Sequence, residues 1–321
     1  MSQRPMGERA QIRLLSDGRR LHLHNGPIDL IVEAFGEAPE INAAYAAASN
    51  RFVTVLDELC GELQFLRRPA AEHSAPPTGV VATRMFAAVV PYCERTFITP
   101  MAAVAGAVAE EILGSMVSAA NLSRAYVNNG GDIALHIAPG EHFVVGMVER
   151  PERPSLFGTA ILDSTQPVRG IATSGWRGRS FSLGIADAVT VLADHAAMAD
   201  AAATIIANAV DLPGHPEILR VPARDLAPDS DLADRLVTQE VGQLFSSEIS
   251  AALDAGAAAA HSLFANGLIR SAALHLRGET RLAGLKSLVA PAGRRLSGGH
   301  PARPSGRRDA SATNARSLIH A

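Results

Sequence analysis

A chain of 321 residues, 47% of them hydrophobic and with a formal net charge of −3, holds enough apolar material for one large or two modest cores, and neither a fibrous nor a wholly disordered protein fits it. The mildly acidic balance supplies no basic face for a phosphate backbone, which excludes nucleic acid as the main partner. Two isolated cysteines, Cys60 and Cys93, make neither a disulfide framework nor a zinc site and point to a reducing compartment.

The opening "MSQRPMGERAQIRLL" has no apolar core of signal-peptide length. The longest apolar run, "MAAVAGAVA", falls well short of the ~20 residues that cross a bilayer. A soluble cytoplasmic protein without a membrane partner is therefore expected. Lys286 is the single lysine, so no lysine is available for catalysis inside the core.

In chain order, residues 11–36 alternate. Leu21 and Leu23 oppose His22 and His24, then "PIDLIVEA" follows, predicting two strands joined at the Asn25-Gly26 turn. Ile41, Tyr45, Phe52, Leu56 and Leu63 recur at near-helical spacing and predict a helix over about 41–62. A Pro-rich connection, "RRPAAEHSAPPTG", comes next. In "ITPMAAVAGAVAEEILGSMVSAAN", Thr99 is placed to cap a helix and Pro100 suits its first position, with the end near Ala120. "RAYVNNGGDIALHIA" reads as strand, tight turn, strand, and "FVVGMVE", "GTAILDS" and "RGIATSG" as further short strands.

The stretch "VTVLADHAAMADAAATIIANAV" (189–210) predicts a β-branched strand, a turn at Asp194-His195 and an alanine-rich helix. After the irregular "DLPGHPEILRVPARDLAPDSD", helices are expected near 231–238 and 246–265, then a last strand in "IRSAALHLRG". From about residue 287 Gly, Pro, Ser and Arg dominate, which reads as a disordered basic tail. Residues 1–286 are expected to form a single α+β domain with a mostly antiparallel sheet, and the two alanine-rich helices hint at a duplicated strand–helix unit.

Three places could carry chemistry. On the 196–210 helix, Asp200, Thr204 and Asn208 fall at i, i+4 and i+8, with Met198, Ile205 and Ile206 on the other side facing the core. An ordinary wet face would produce the same stripe. These polar residues, however, are short and poor helix formers, where wet faces usually carry long charged side chains. A carboxylate and a hydroxyl one turn apart can give two oxygens to a hard cation such as Mg²⁺. In "YVNNGGDI", Gly130 and Gly131 let the chain reverse and let a phosphorylated or flat ligand approach the backbone, with Asn128, Asn129 and Asp132 around them. A plain hairpin turn is the competing reading. In "GIATSGW", Thr173, Ser174 and Gly175 end a strand in a loop that could hold phosphate or simply turn, and Trp176 reads as core or pocket wall. His22, His24, His136 and His142 lack the spacing of a metal set, and no phosphate-binding loop or dinucleotide fingerprint is present.

The order "NNGGDI", "ATSG", "ADAVTVLADHAAMADAAATIIANAV" resembles the ApbE-type flavin transferases, and more closely a branch of ApbE-like proteins that also carries "APDSDLADRLVTQEVG". The likeness rests on Gly130, Gly131 and Asp132, on Thr173, Ser174 and Gly175, and on Val189, Thr190, Val191, Ala199, Asp200 and Thr204, across roughly residues 100–210. It implies an ApbE-like fold, FAD and Mg²⁺ as cofactors, and transfer of FMN from FAD to an acceptor. By motif, Asp200 and Thr204 would hold the metal, and Asn129, Gly130, Gly131, Asp132, Thr173, Ser174 and Gly175 would line the nucleotide pocket. Where the transferases carry an Ala-Lys-Gly-Tyr segment, this chain reads "AVAGAVAEE", and Asp187 stands two residues before "VTV" in place of a histidine. The resemblance therefore also implies an alternative: a protein that holds a flavin or pterin-like ligand without cleaving it, or an enzyme of pterin cofactor biosynthesis in tetrahydromethanopterin-linked one-carbon metabolism.

Overall fold

The computed structural model describes residues 10–72, 75–148, 156–284, 288–289 and 318–320. Strands β1 (Gln11–Leu14), β2 (Leu21–Asn25) and β3 (Ile28–Phe35) form an antiparallel meander, reversing at Gly26 with φ 58°. Helices α1 (Ala38–Gly61), α2 (Leu63–Leu66) and α3 (Val80–Val89) follow, and a 3₁₀ turn at Pro100–Ala103 leads into α4 (Val104–Ala119). Next come β4 (Arg124–Asn129), β5 (Asp132–Ile137), β6 (His142–Val148), β7 (Leu156–Asp163), β8 (Gly170–Ser174), β9 (Ala188–Ala193) and α5 (Ala196–Ala209). The remainder is β10 (Ile218–Pro222), α6 (Ala223–Leu226), β11 (Leu236–Val241), α7 (Ser246–Ala265), β12 (Ser271–Leu276), β13 (Glu279–Gly284), β14 (Leu288–Val289) and β15 (Leu318–His320).

Nine strands form one antiparallel sheet in the order β1-β2-β3-β4-β5-β8-β9-β12-β13. The α+β expectation holds. Because side chains alternate along a strand, each central strand feeds two cores. Val127, Ala134, Ala172, Val191 and Leu274 join the helices in one cluster, while Ile133, Leu135, Ile171, Leu192 and Ala273 join Phe143, Val145 and Leu162 of β6 and β7 in another. The molecule is thus three layers: helices, the large sheet, and a four-stranded sheet ordered β14-β7-β6-β15. Most of the expected tail lies outside the described residues, and its two described pieces, β14 and β15, pair with β7 and β6.

The expected duplication appears in the connectivity. Neighbours β3 and β4 are joined through α1 and α4, and neighbours β9 and β12 through α5 and α7. This brings α4 and α5 together under the middle of the sheet. Gly106 is buried at their crossing, where a Cβ would collide with the Ala196 carbonyl. Alanine is the useful residue in such a place, since it lets helix backbones approach and has the highest helix propensity. Eight residues of α5, seven of them Ala, are buried.

Three expectations are corrected. Thr99 makes no capping bond and its hydroxyl goes instead to Asp231, because the chain enters α4 through a 3₁₀ turn rather than directly. The helix expected near 231–238 is a turn with Ala233 at φ 50°, followed by β11, whose β-branched Val237, Thr238 and Val241 pair antiparallel with β10. On α5, Met198 and Ile205 are only half-buried; the alanines face the core together with Ile206, since α5 is enclosed by α4, α7 and the sheet. The segment Pro100–Ala119 reaches the length and hydropathy of a membrane span. Within the fold its buried residues, among them Val108, Ile112 and Met116, pack into the helical layer.

Candidate functional site

The β4–β5 hairpin reverses at Gly130 and Gly131, with φ 68° and 115°, values that L side chains rarely adopt. Asn128 Oδ1 accepts the Gly131 N–H at 2.9 Å and fixes the turn. Asn129 is 5% exposed, and its Nδ2 donates to the Ala105 carbonyl at 3.2 Å, tying the hairpin to the start of α4. These contacts hold Asp132, the first residue of β5, beside the amino-terminal turn of that helix.

Asp200 arrives at the same place from α5. Its Oδ2 accepts the Gly106 N–H at 3.0 Å, and the carboxylate takes a second bond from the backbone of Ala105. The first N–H groups of a helix have no partner within it, so Asp200 acts as an external cap for α4. A cap needs only one carboxylate. The β5–β8 ladder runs only over Ile133–Ile171 and Ala134–Gly170, and past its end the Thr173 N–H bonds the Asp132 carboxylate.

Two acidic groups therefore face one another where protein surrounds both carboxyls, although each residue keeps part of its surface open. Burial pushes Asp200 up to about 7. Burial, and then the charge of Asp200, push Asp132 well above the usual carboxylate range. Two like charges brought together out of water are costly, and a proton or a cation between them removes the cost. Arg179 supplies part of that charge: it lowers Asp132, and its guanidinium lies so close to Gly130 that a side chain there would collide with it.

Of the residues singled out in the sequence, Asp132, Gly130, Gly131, Thr173 and Asp200 come together here. Thr204 lies one turn beyond Asp200, half-buried, and makes no hydrogen bond among the described residues. Asn208 leaves the stripe for another task, since its Oδ1 accepts the Leu183 N–H at 2.9 Å and the Ser182 hydroxyl at 3.3 Å. Thr173 Oγ1 pairs with Thr190 Oγ1 at 2.9 Å, and Ser174 stands half-buried at the end of β8. Gly175 is backed by the Asp187 carbonyl at 2.5 Å from where its Cβ would stand, so packing alone requires a glycine there.

Trp176 belongs to the neighbouring wall. Its Nε1 donates to Asp187 Oδ1 at 3.2 Å, and Arg177 stacks over its ring at 4.3 Å. Asp187, 5% exposed, also accepts from Arg177 Nε at 2.8 Å and from the Arg277 N–H at 2.7 Å, so it anchors the loop after β8. In "AVAGAVAEE", Glu110 and Glu111 bind arginines: Arg84 reaches both, at 3.0 and 3.1 Å, and Arg51 reaches Glu111 at 2.6 Å.

Sequence reasoning missed Arg179 and the N–H groups of Ala105 and Gly106. Arg179 carries no local signal, since only the fold brings its loop over the hairpin. A glycine inside the alanine run at 102–109 was a usable sign of close backbone approach.

The site offers two carboxylates and a hydroxyl, and among the described residues no cluster of three or more His, Cys, Asp or Glu is poised for a metal. That donor set fits Mg²⁺, which is commonly bound through one or two carboxylates with waters and substrate phosphates completing six oxygens. It does not fit a structural zinc site, whose four ligands are cysteine sulfurs and histidine nitrogens in a closed tetrahedron.

Residues 12–282 match the family described as AbpE bacteria. The chain belongs to that family. Relatives of this AbpE bacteria chain include the UPF0280 protein of Methanococcoides burtonii, 42% identical over 120 residues, which are 37% of this chain and 48% of that one. The UPF0280 protein of Methanopyrus kandleri is 40% identical over 112 residues, 35% of this chain and 43% of its own. That of Archaeoglobus fulgidus is 32% identical over 143 residues, 44% and 56% respectively. The chain spans about half the length of the curated relatives it matches.

Proposed function

We propose that this chain is an ApbE-like, cytoplasmic, flavin-nucleotide-binding protein that uses Mg²⁺ to transfer FMN from FAD to an acceptor hydroxyl. One observation carries the reading: Asp132 and Asp200 face each other at the amino end of α4, beside a glycine hairpin and under Arg179. A buried acidic pair without an ion pair to each carboxylate is a device for taking up a cation, and the guanidinium of Arg179 beside it favours phosphate. Asp200, Asp132 and the hydroxyl of Thr204 would hold the metal. When bound, Mg²⁺ would offset the charge of the pyrophosphate and of the AMP oxygen that departs as the acceptor oxygen bonds to phosphorus.

The chain's own residues have three tasks in this reading. Gly131, with nothing within 4 Å of where a Cβ would stand, leaves room for the pyrophosphate against backbone, and Gly130 makes room for the Arg179 guanidinium. Arg179 binds the pyrophosphate oxygens, and Thr173 positions Asp132 through its N–H.

The test is chromatographic. Purified protein with FAD, Mg²⁺ and a threonine-containing acceptor is expected to release AMP, and Asp200→Ala to stop it. Absence of AMP above background in the wild type rejects transfer.

A second reading is favoured by the segment "AVAGAVAEE", which has neither the Lys nor the Tyr of the transferases' corresponding segment and whose Glu110 and Glu111 are held by Arg84 and Arg51. It is a protein that binds a flavin or pterin-like ligand without cleaving it, serving pterin-linked one-carbon metabolism. FAD that raises the melting temperature in Mg²⁺ without AMP release would select this reading, since a ligand of the folded state stabilises it without turnover.

A further inference from the structure

Neither of the two helices that meet at the acidic pair caps itself. Ala103 precedes α4 and His195 precedes α5, and neither side chain bonds a backbone N–H of its own helix. The first N–H groups of a helix must find partners outside its own ladder. Here each helix supplies the other. Asp200 of α5 accepts the Gly106 N–H at 3.0 Å, and a second bond from Ala105, in the first turn of α4. Glu110 of α4 accepts the Ala197 N–H at 3.3 Å in the first turn of α5.

Both bonds belong to one close crossing, where a Cβ on Gly106 would stand 2.3 Å from the Ala196 carbonyl oxygen. The spacing is the same on the two helices. Glu110 follows Gly106, and Asp200 follows Ala196, by about one turn, so each carboxylate lies one turn along its own helix from the crossing. Shifting the first turn of α5 against α4 therefore shifts Asp200 as well.

Glu110 is itself held from outside this pair. Arg84 of α3 reaches its Oε2 through Nε at 3.0 Å and donates through Nη1 to the Ala107 carbonyl at 3.3 Å. His195 Nδ1 lies 3.6 Å from Glu110 Oε1. The carboxylate is thus fixed relative to α3 and α4, and it passes that position on to the start of α5. A hard cation such as Mg²⁺ demands near-ideal octahedral geometry, so a carboxylate ligand carried on a movable helix needs such a stop.

We propose that Glu110 is a positioning residue for the acidic pair: by capping α5 it sets the height at which Asp200 meets the amino end of α4 and Asp132, without itself binding the cation. The inference rests on the reading of Asp132 and Asp200 as metal ligands. Glu111, its neighbour in sequence, provides the comparison. It binds Arg84 at 3.1 Å and Arg51 at 2.6 Å, yet among the described residues it caps no helix.

Hydrogen exchange at the Gly106 amide and Mg²⁺ titration of the full chain test this together. Glu110→Ala removes the cap and is expected to speed Gly106 exchange and to weaken Mg²⁺ binding about tenfold each, with an unchanged circular dichroism spectrum. Glu110→Gln keeps an acceptor for Ala197 and should stay within about threefold of wild type in both readouts. Glu111→Ala removes the same charge from Arg84 and should alter neither. Should Glu110→Ala fail to fold, Glu110→Asp, with its carboxylate drawn back by one methylene, carries the same expectation. Wild-type exchange and Mg²⁺ affinity in Glu110→Ala would overturn the proposal, as would a Glu111→Ala loss of equal size or a Glu110→Gln as impaired as Glu110→Ala. Faster Gly106 exchange in Glu110→Ala beside a wild type that binds no Mg²⁺ would uphold Glu110 as the residue that places Asp200 and reject the metal reading instead.

Discussion

Replacing Asp200 by Asn keeps the shape of the side chain and an oxygen for the Ala105 and Gly106 N–H groups while removing one charge from the acidic pair. Burial lifts the Asp200 carboxyl from 3.8 to about 7. At about 1.4 kcal/mol per unit, ionising it inside the fold costs roughly 4 kcal/mol more than ionising it in the unfolded chain. The direction in pH follows from this. Below pH 3.8 both states carry the proton and the cost is absent. Between 3.8 and about 7 the folded state alone keeps it, so stability falls as pH rises through that window. Above it both states are ionised and the full cost remains.

Without divalent ions, Asp200→Asn is therefore more stable than wild type at pH 8. A neutral amide accepts weaker hydrogen bonds than a carboxylate, which offsets about 1 kcal/mol of the gain and leaves about 3 kcal/mol. Near pH 4 the two proteins should differ little. Urea unfolding in EDTA at both pH values, followed by circular dichroism, measures the difference. Adding Mg²⁺ should raise the stability of wild type at pH 8 and leave the variant unmoved, because only the intact pair gains a ligand. A wild type whose stability is flat from pH 4 to 8, or a variant that is the weaker protein at pH 8, would refute the strained acidic pair.

Gly106→Ala drives a methyl into the Ala196 carbonyl at the α4–α5 crossing, and urea unfolding should show a loss of about 1–3 kcal/mol together with weaker Mg²⁺ binding. Gly130→Ala meets both a positive φ and the Arg179 guanidinium, so FAD binding should fall more than the melting temperature does. Asp187→Ala strips three donors of one buried acceptor, from Trp176, Arg177 and Arg277, and chemical denaturation should report a cost of about 3–5 kcal/mol with a shift in Trp176 emission.

Much of the secondary structure was legible locally. Period-2 alternation in 21–35 and the Asn-Gly turn are statements about neighbours in sequence, and the chain forms β2 and β3 with that turn between them. The long helices at 38–61 and 246–265 follow in the same way from helical spacing. The failures were of a different kind. Residues 231–238 carry apolar residues that fit either period, and it is pairing with β10 that makes Val237 and Thr238 a strand. The larger side chains of Met198 and Ile205 predict the core face of α5, yet a helix enclosed by two others and a sheet buries its smallest residues.

For the site, the sequence by itself determined the chemical types: a glycine reversal followed by Asp132, an alanine helix carrying Asp200 and Thr204, and Thr173 at the end of a strand. Those follow from covalent order and local backbone preference. Only the tertiary structure decided which of them meet. Nearly seventy positions separate Asp132 from Asp200, and their approach depends on the β5–β8–β9 order and on Gly106 letting α5 close on α4. It also decided that Asn208 holds a loop, that Arg179 covers Gly130, and that both carboxyls are held where ionisation is costly. Proton affinity and proximity are properties of what surrounds a group, and in a sheet of nine strands most of what surrounds it is distant in the chain.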